Sequence, residues 1–308
     1  MKNKPFTLVL GGGGARGIAH LGVLRVLERE KIMPSLIVGT SMGAIIGAMY
    51  AQTLDTYEAE RRIEKLYQSN FFTKIGLDFF VLEDYVDRHN FFDQWVNKAK
   101  RNYLLSRTIT RDSALPEQTL REALSYLIDE MDISDCRIPF RSVTTDIKNG
   151  DVVVIKSGSL TRAVAASSTI PAITKPVELN GRFLIDGGAA CITPVVPALK
   201  ISNLPLVAVD VWKTITHQKM PDRGLGMLFR AGEITQINLN RLLVDQADIV
   251  IQPPVQEYSW VKFSLYQEMI ERGIVAGEDA LVKIKKLKKK KSRKADRFSH
   301  NIFKVFEE

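Results

Sequence analysis

The chain opens on an apolar run, residues 6–10, that stops at Gly11, Gly12, Gly13 and Gly14 and resumes as Ile18, Leu21, Val23, Leu24 and Leu27. A short apolar run bounded by turn residues predicts a buried strand, and recurrence at three to four residues predicts a helix. Strand, glycine loop and helix therefore follow one another. Pro34 ends the connection, Leu36, Ile37 and Val38 predict the next strand, and residues 44–51 predict a helix directly after it. Two strands joined through a helix imply a right-handed crossover and a parallel pair. Asp55 and Thr56 cap a charged amphipathic helix that runs to Tyr67, and residues 116–131 form another, with Leu120, Ala123, Leu124 and Leu127 on one face. From Pro139 the period changes to that of strands. Residues 140–147 and 152–155 form a hairpin about Asn149-Gly150, and residues 158–167 are helix-like. Residues 177–179 and 183–185 form a second hairpin about Asn180-Gly181 that runs into Asp186-Gly187-Gly188. A strand at 206–211, a long helix at 225–244 and a short strand at 249–251 complete the pattern. It predicts an α/β fold, three layers α/β/α around a mixed, mainly parallel central sheet.

Residues 71–103 break this order: Phe71, Phe72, Phe79, Phe80, Tyr85, Phe91, Phe92, Trp95 and Tyr103 lie among charges without clean periodicity. An insertion of this kind, spanning about 70–115, either covers a site for a greasy ligand or completes the core. With 308 residues, 45% hydrophobic and 25% charged, the composition is that of an ordinary globular protein. The expected division is one domain over 1–275 and a basic C-terminal segment over 276–308.

The net charge of +8 belongs to that segment, since ten of the 43 Lys and Arg residues lie between 281 and 297 beside a single acid, Asp296. The rest of the chain is close to neutral. Ala280, Leu281, Ile284 and Leu287 make a rough apolar stripe among the lysines, and Phe298, Ile302, Phe303 and Phe306 follow. Three readings stay open: a solvated tail, an anionic membrane surface bound through 281–306, and, least favoured, nucleic acid. No apolar run reaches the roughly 20 residues needed to cross a bilayer. The chain reads as cytoplasmic, with peripheral attachment to the inner leaflet as an option. Cys136 and Cys191, outside any metal-like spacing, suit a reducing compartment and argue against a disulfide framework or a metal site.

Candidate chemistry centres on Gly39-Thr40-Ser41-Met42-Gly43, between an apolar strand and a helix. A serine at such a corner is exposed at a helix N-terminus, and the flanking glycines let strand and helix close past it. Amides of Gly12, Gly13 and Gly14 are candidate oxyanion donors, and Arg16 is either scaffold or an anion contact. Gly12, Gly14 and Gly17 also spell Gly-x-Gly-x-x-Gly. Dinucleotide binding, however, wants an acid at the end of the second strand, where Val38-Gly39-Thr40-Ser41 stands. A Walker loop would need Gly-Lys-Ser/Thr after the glycines. No cofactor is expected. Of the four histidines, His20, His89, His217 and His300, none sits in a persuasive position for a base, His217 least poorly by chain order. Asp186, ending a hairpin before two glycines, is the better candidate.

Four blocks resemble, in order and spacing, those of the patatin-like phospholipases, particularly small bacterial members: Gly12-Gly13-Gly14-Ala15-Arg16-Gly17, Gly39-Thr40-Ser41-Met42-Gly43, Ala166-Ser167 with Pro171, and Asp186-Gly187-Gly188. The resemblance covers residues 6 to about 212. It implies a patatin-like fold with an elbow like that of α/β-hydrolases, Ser41 as nucleophile and Asp186 as base without histidine. It further implies the glycine loop as oxyanion hole, Arg16, Gly39, Met42, Gly43, Gly187 and Gly188 in support, and lipid acyl esters as substrates. An aspartate of ordinary pKa, about 3.9, is a feeble base at neutral pH, so its site should be buried enough to raise that value. Where the family commonly places an Asn after the Asp-Gly-Gly block, this chain has Cys191. That difference keeps a second reading in play, a patatin-fold, membrane-recruited binding or regulatory protein.

Overall fold

The structure, a computed structural model, describes residues 5–69, 117–171, 173–215, 224–287 and 304–308. The aromatic-rich stretch at 70–115, His89, His217, His300 and most of the lysine run lie outside the described residues.

In chain order the elements are β1 (Thr7–Leu10), α1 (Ala19–Arg29), β2 (Leu36–Thr40), α2 (Met42–Thr53), α3 (Thr56–Gln68), α4 (Glu117–Leu127), β3 (Phe140–Asp146), β4 (Val152–Ile155), α5 (Leu160–Ser167), β5 (Val177–Leu179) and β6 (Arg182–Asp186). They continue as α6 (Val195–Ile201), β7 (Leu206–Val209), α7 (Gly224–Val244), β8 (Ile249–Ile251), α8 (Tyr266–Lys285) and β9 (Val305–Glu307). Among the described residues they build one nine-stranded sheet, in the order β5-β6-β3-β2-β1-β7-β8, with β4 and then β9 added beside β3. The run β3-β2-β1-β7-β8 is parallel, whereas β4 and β6 each meet β3 antiparallel. The sheet is mixed because both Asn-Gly turns reverse the chain. At the second of them Asn180 and Gly181 both take positive φ, 49° and 76°, the turn that matches strand twist.

Strand alternation sorts the core onto two faces. Leu8, Leu10, Ile37 and Phe140 join the larger cluster, under α1, α2, α3, α4, α5 and α8. Val9, Val38 and Val143 join a smaller one with Val195 and Ala198 of α6 and Val244 of α7. This is the three-layer α/β/α arrangement. The sequence pattern did not announce α6, because Pro194 and Pro197 punctuate it; Pro194 caps the helix and Pro197 falls in its first turn, where prolines cost little.

The expected boundary at 275/276 falls inside α8. That helix begins at Tyr266 and runs along α1, burying Tyr266, Met269, Ile270, Gly273, Gly277, Ala280 and Ile284. Glycines at two of these positions dilute the hydrophobic signal, which is why the helix looked shorter in sequence. Ala280 and Ile284, members of the rough apolar stripe that one of the three readings turned to a membrane, are packed in the core. Phe306 lies in β9, paired to β4, with the Arg182 guanidinium 4.5 Å from its ring centre. No helix among the described residues is long and apolar enough to cross a membrane.

Burial of the stripe has a measurable consequence. Ile284→Asp should lower the unfolding free energy by about 3 kcal/mol or more in urea titrations, because an unpaired charge enters the core. An unchanged midpoint would return that face to the surface.

Candidate active site

Strand β3 brings the two key residues together. Its residues Ser142 and Val143 pair with β4 on one side and with Gly39 and Thr40 of β2 on the other. One step further, Thr144 and Thr145 pair with β4 on the same side, and with Asp186 and Ile185 of β6 on the opposite one. Strands β2 and β6 thus share one edge of β3 and meet end to end. Thr40 faces Val143 and Asp186 faces Thr144, so Ser41 leaves the sheet at the point where Asp186 arrives.

The turn at Ser41 is strained. Its φ of 54° and ψ of −124° lie where a residue bearing Cβ pays for its conformation. The strain persists because the surroundings determine it. A Cβ on Gly43 would fall 2.2 Å from the Leu10 carbonyl oxygen, so only glycine lets α2 start this close to the glycine loop. The Ser41 amide donates to Ser167 Oγ at 2.9 Å, and that hydroxyl donates to the Val143 carbonyl at 2.6 Å. Ser167 therefore fills the break between the ends of β2 and β6, a role the sequence did not disclose.

In the glycine loop, donor duties are divided otherwise than expected. The Gly12 amide donates to the Ile192 carbonyl at 2.9 Å and so does not serve the cleft. This corrects its assignment as an oxyanion donor: a backbone N–H already bonded within the protein is not available to a substrate. Gly12 instead lets the loop pass Ser41, whose Cβ would stand 3.2 Å from an added methyl. Gly13 and Gly14 remain as candidate donors, both lining the cleft with Ser41. Gly14 has φ 58°, and a Cβ there would collide with the Trp260 carbonyl oxygen at 2.3 Å.

Behind the loop, Arg16 is 2% exposed, donates from Nε to the Gly13 carbonyl at 3.2 Å and stacks on Trp212 with 5.1 Å to the ring centre. Burial lowers its pKa to about 10, against which nearby Asp210 acts. Arg16 is thus a buried scaffold for the loop that also contributes to the lining of the cleft. His20 is likewise structural. Its Nε2 lies 2.7 Å from the Gly11 carbonyl oxygen, and burial pushes its pKa down to about 4, so it supports the loop as a neutral ring.

Asp186 is buried, and this loss of solvent raises its pKa to about 6, opposed by a hydrogen bond from the Ser41 hydroxyl and another from the Gly188 amide. The latter spans 2.7 Å to Oδ1. Gly187 rests on β3, where a Cβ would meet the Val143 carbonyl oxygen at 2.3 Å. The carboxyl therefore faces the serine with one oxygen oriented by its own turn.

Two spaces converge on Ser41. A broad cleft of about 670 Å³ holds Gly13, Gly14, Ser41, Asp186 and Gly188. A narrower pocket of about 180 Å³ leads away between α2, α3 and α4, lined by Met42, Ile45, Ile63, Leu66, Leu124 and Leu127. Ser41 and Gly14 belong to both.

The family model of the patatin-like phospholipases matches residues 8–199, which contain the glycine loop, Ser41, Ser167 and Asp186. The chain belongs to that family. Among its relatives, Lysophospholipase NTE1 of Kluyveromyces lactis is 25% identical over 307 aligned residues, covering 89% of this chain and 19% of that protein. Patatin-like phospholipase domain-containing protein 6 of Homo sapiens is 32% identical over 206 residues, 66% of this chain and 13% of that one. This patatin-like chain spans about a fifth or less of the length of such curated relatives. Among solved structures it is similar to VipD from Legionella pneumophila, with a TM-score of 0.43 and 16% identity over 92% of this chain and 67% of that one.

In this patatin-like domain the loop after Asp186 is braced from outside the motif. Cys191, buried where the family commonly has Asn, donates from Sγ to the Thr193 carbonyl at 3.2 Å. An asparagine arrives instead from α7: Asn240 Oδ1 accepts from the Thr193 amide at 3.2 Å, and its Nδ2 donates to Asp210 at 3.0 Å. Asp210 also accepts from the Thr193 hydroxyl at 3.0 Å and from Gln252 at 3.2 Å. These are isolated polar residues on separate elements, so only Asp210, a carboxylate ending an apolar strand, offered a hint in sequence.

Removing the Ser167 hydroxyl would leave a buried carbonyl and the elbow amide without partners. Ser167→Ala should cost about 1–3 kcal/mol in chemical denaturation and lower kcat/KM for an ester substrate more than it raises KM. A stable variant of full activity would show that the elbow holds itself.

Proposed function

We propose that this domain is a serine acyl hydrolase acting on phospholipids or lysophospholipids, with Ser41 as nucleophile and Asp186 as its base. One observation carries the reading: a serine at a strained elbow stands beside a buried carboxyl, at the junction of a broad open cleft and a narrower apolar pocket. Family membership supports it, and the names of relatives such as Lysophospholipase NTE1 point to the same substrate class.

The proposed chemistry is acyl transfer in two halves. The substrate's acyl chain enters the apolar pocket and its headgroup stays in the cleft, which places the ester carbonyl at Ser41. Asp186 takes the hydroxyl proton as Ser41 Oγ attacks, and the developing oxyanion lies towards the amides of Gly13 and Gly14. Asp186 then returns the proton to the leaving alkoxide. A water, deprotonated by the same carboxylate, attacks the acyl-serine, and Asp186 hands that proton to Ser41 Oγ as the acyl–oxygen bond breaks and the fatty acid leaves. A carboxyl whose pKa is near 6 is ionised at neutral pH yet basic enough to accept a proton, a compromise that burial makes available.

Fatty-acid release from lysophosphatidylcholine is the direct assay. Ser41→Ala should lower kcat/KM by roughly 10³-fold or more. Equal release by both forms would refute the reading. The pH profile follows from the required ionisation: kcat/KM should rise with pH about a midpoint near 6 and then level. A flat profile from pH 4 to 8 would remove Asp186 from the base's role.

The same carboxyl links to stability with a definite sign. Its folded pKa is raised above the unfolded value, so the stability it permits at low pH is lost as pH rises through about 6. Asp186→Asn should therefore unfold at a higher temperature than the wild type at pH 8, by an amount worth about 1–3 kcal/mol, while losing activity. The gap should close towards pH 4. A less stable variant at pH 8 would contradict the burial argument.

A further inference from the structure

We infer that the N-terminal half of α7 is a lipid-surface docking face that holds the mouth of the cleft against a membrane; the inference rests on the reading of the cleft as a lipid hydrolase site. The helix is built in two unlike halves. Its C-terminal half is anchored, with Ile237, Asn240, Leu243 and Val244 buried against α6 and the loop after Asp186. Its N-terminal half is apolar and faces solvent: Met227 is 45%, Leu228 67% and Phe229 66% exposed, with Ala231 and Gly232 exposed beside them. Large side chains of this kind are normally withdrawn from water, and a cluster of them marks a contact surface.

The position of the cluster selects the partner. Leu228 and Phe229 line the same cleft as Ser41 and Asp186, so whatever covers them also covers its entrance. A protein seated there would close the cleft, whereas a lipid layer would deliver substrate into it. At this rim Lys213 and Arg230 both pair with Glu233, which leaves a single excess positive charge beside the apolar turn. Apolar side chains carry the proposed docking, which separates it from the lysine run near residue 288. An aromatic and two flexible aliphatic side chains on an exposed helical turn suit shallow insertion at the level of the headgroups.

The test uses the full chain and vesicles of phosphatidylcholine alone, to which the lysine-rich segment has no electrostatic attraction. Wild type should float with these vesicles, and the double variant Leu228→Asp/Phe229→Asp should bind about tenfold less or weaker still. Because these side chains are exposed, the variant's thermal unfolding should match that of the wild type, which separates lost docking from lost folding. Met227→Asp, outside the cleft lining, should weaken binding in the same direction. Equal binding by all forms, or no binding by the wild type, would overturn the inference. So would a wild-type dimer in sedimentation that the double variant dissociates, since the face would then belong to a second copy of the chain. Binding is read without turnover, so its outcome is separate from whether Ser41 cleaves an ester.

Discussion

A shared strand edge is the constraint on which the site depends. Because β2 runs parallel to β3 and β6 runs antiparallel to it, their ends abut at Val143 and Thr144, and the residues there are Thr40 and Asp186. Backbone hydrogen bonds, not side-chain packing, set the spacing between the serine that follows Thr40 and the carboxylate. Such ladders are specified over the whole sheet, since a slip of one residue would turn every buried side chain to the wrong face. Ser167 stitches the seam by accepting from the Ser41 amide and donating to Val143. The positions of the two groups are therefore consequences of sheet register, held in place by the Ser167 stitch and by the Gly188 amide on Asp186.

Around this seam the protein holds two unfavourable features. The backbone at Ser41 is in a region that a side chain disfavours, and Asp186 is a carboxyl withdrawn from water. Neither would survive on a loop. Both sit between the ends of central strands whose neighbours Val9, Val38 and Leu8 are fully buried, and a dense core of that kind resists local relaxation. At this seam backbone strain and desolvation meet, the pattern expected when stability is given up locally for chemistry. The loop carrying Gly13 and Gly14 is fixed by the same logic, through neutral His20 and desolvated Arg16 beneath it.

Much of this was legible in the sequence because the signals were local. Asn149-Gly150 and Asn180-Gly181 marked the two reversals that make the sheet mixed, and the strand-glycine-helix order of residues 6–27 gave the first crossover. Ser41 and Asp186 stood out through their glycine neighbours. What escaped was set by distant partners. Whether the Gly12 amide points into the cleft depends on Ile192, and whether the Asp186 loop is braced depends on Asn240 and Asp210, of which only Asp210 bears a local signature. The stripe of Ala280 and Ile284 shows the same limit in reverse: its periodicity was real, but periodicity gives a face and not its partner, here α1. Asn240, on another helix, holds the Thr193 amide of the loop in which Cys191 donates to the Thr193 carbonyl.

The central claim, that β3 places a basic carboxylate against a nucleophilic serine, is tested most directly by the rate at which a fluorophosphonate captures the serine. Intact-mass and peptide analysis should find one adduct, on Ser41, formed in wild type at neutral pH and slowed by about 10²-fold or more in Asp186→Asn, since general-base help is worth that much. Modification at another residue, or capture of Ser41 at an unchanged rate without the carboxylate, would contradict the account.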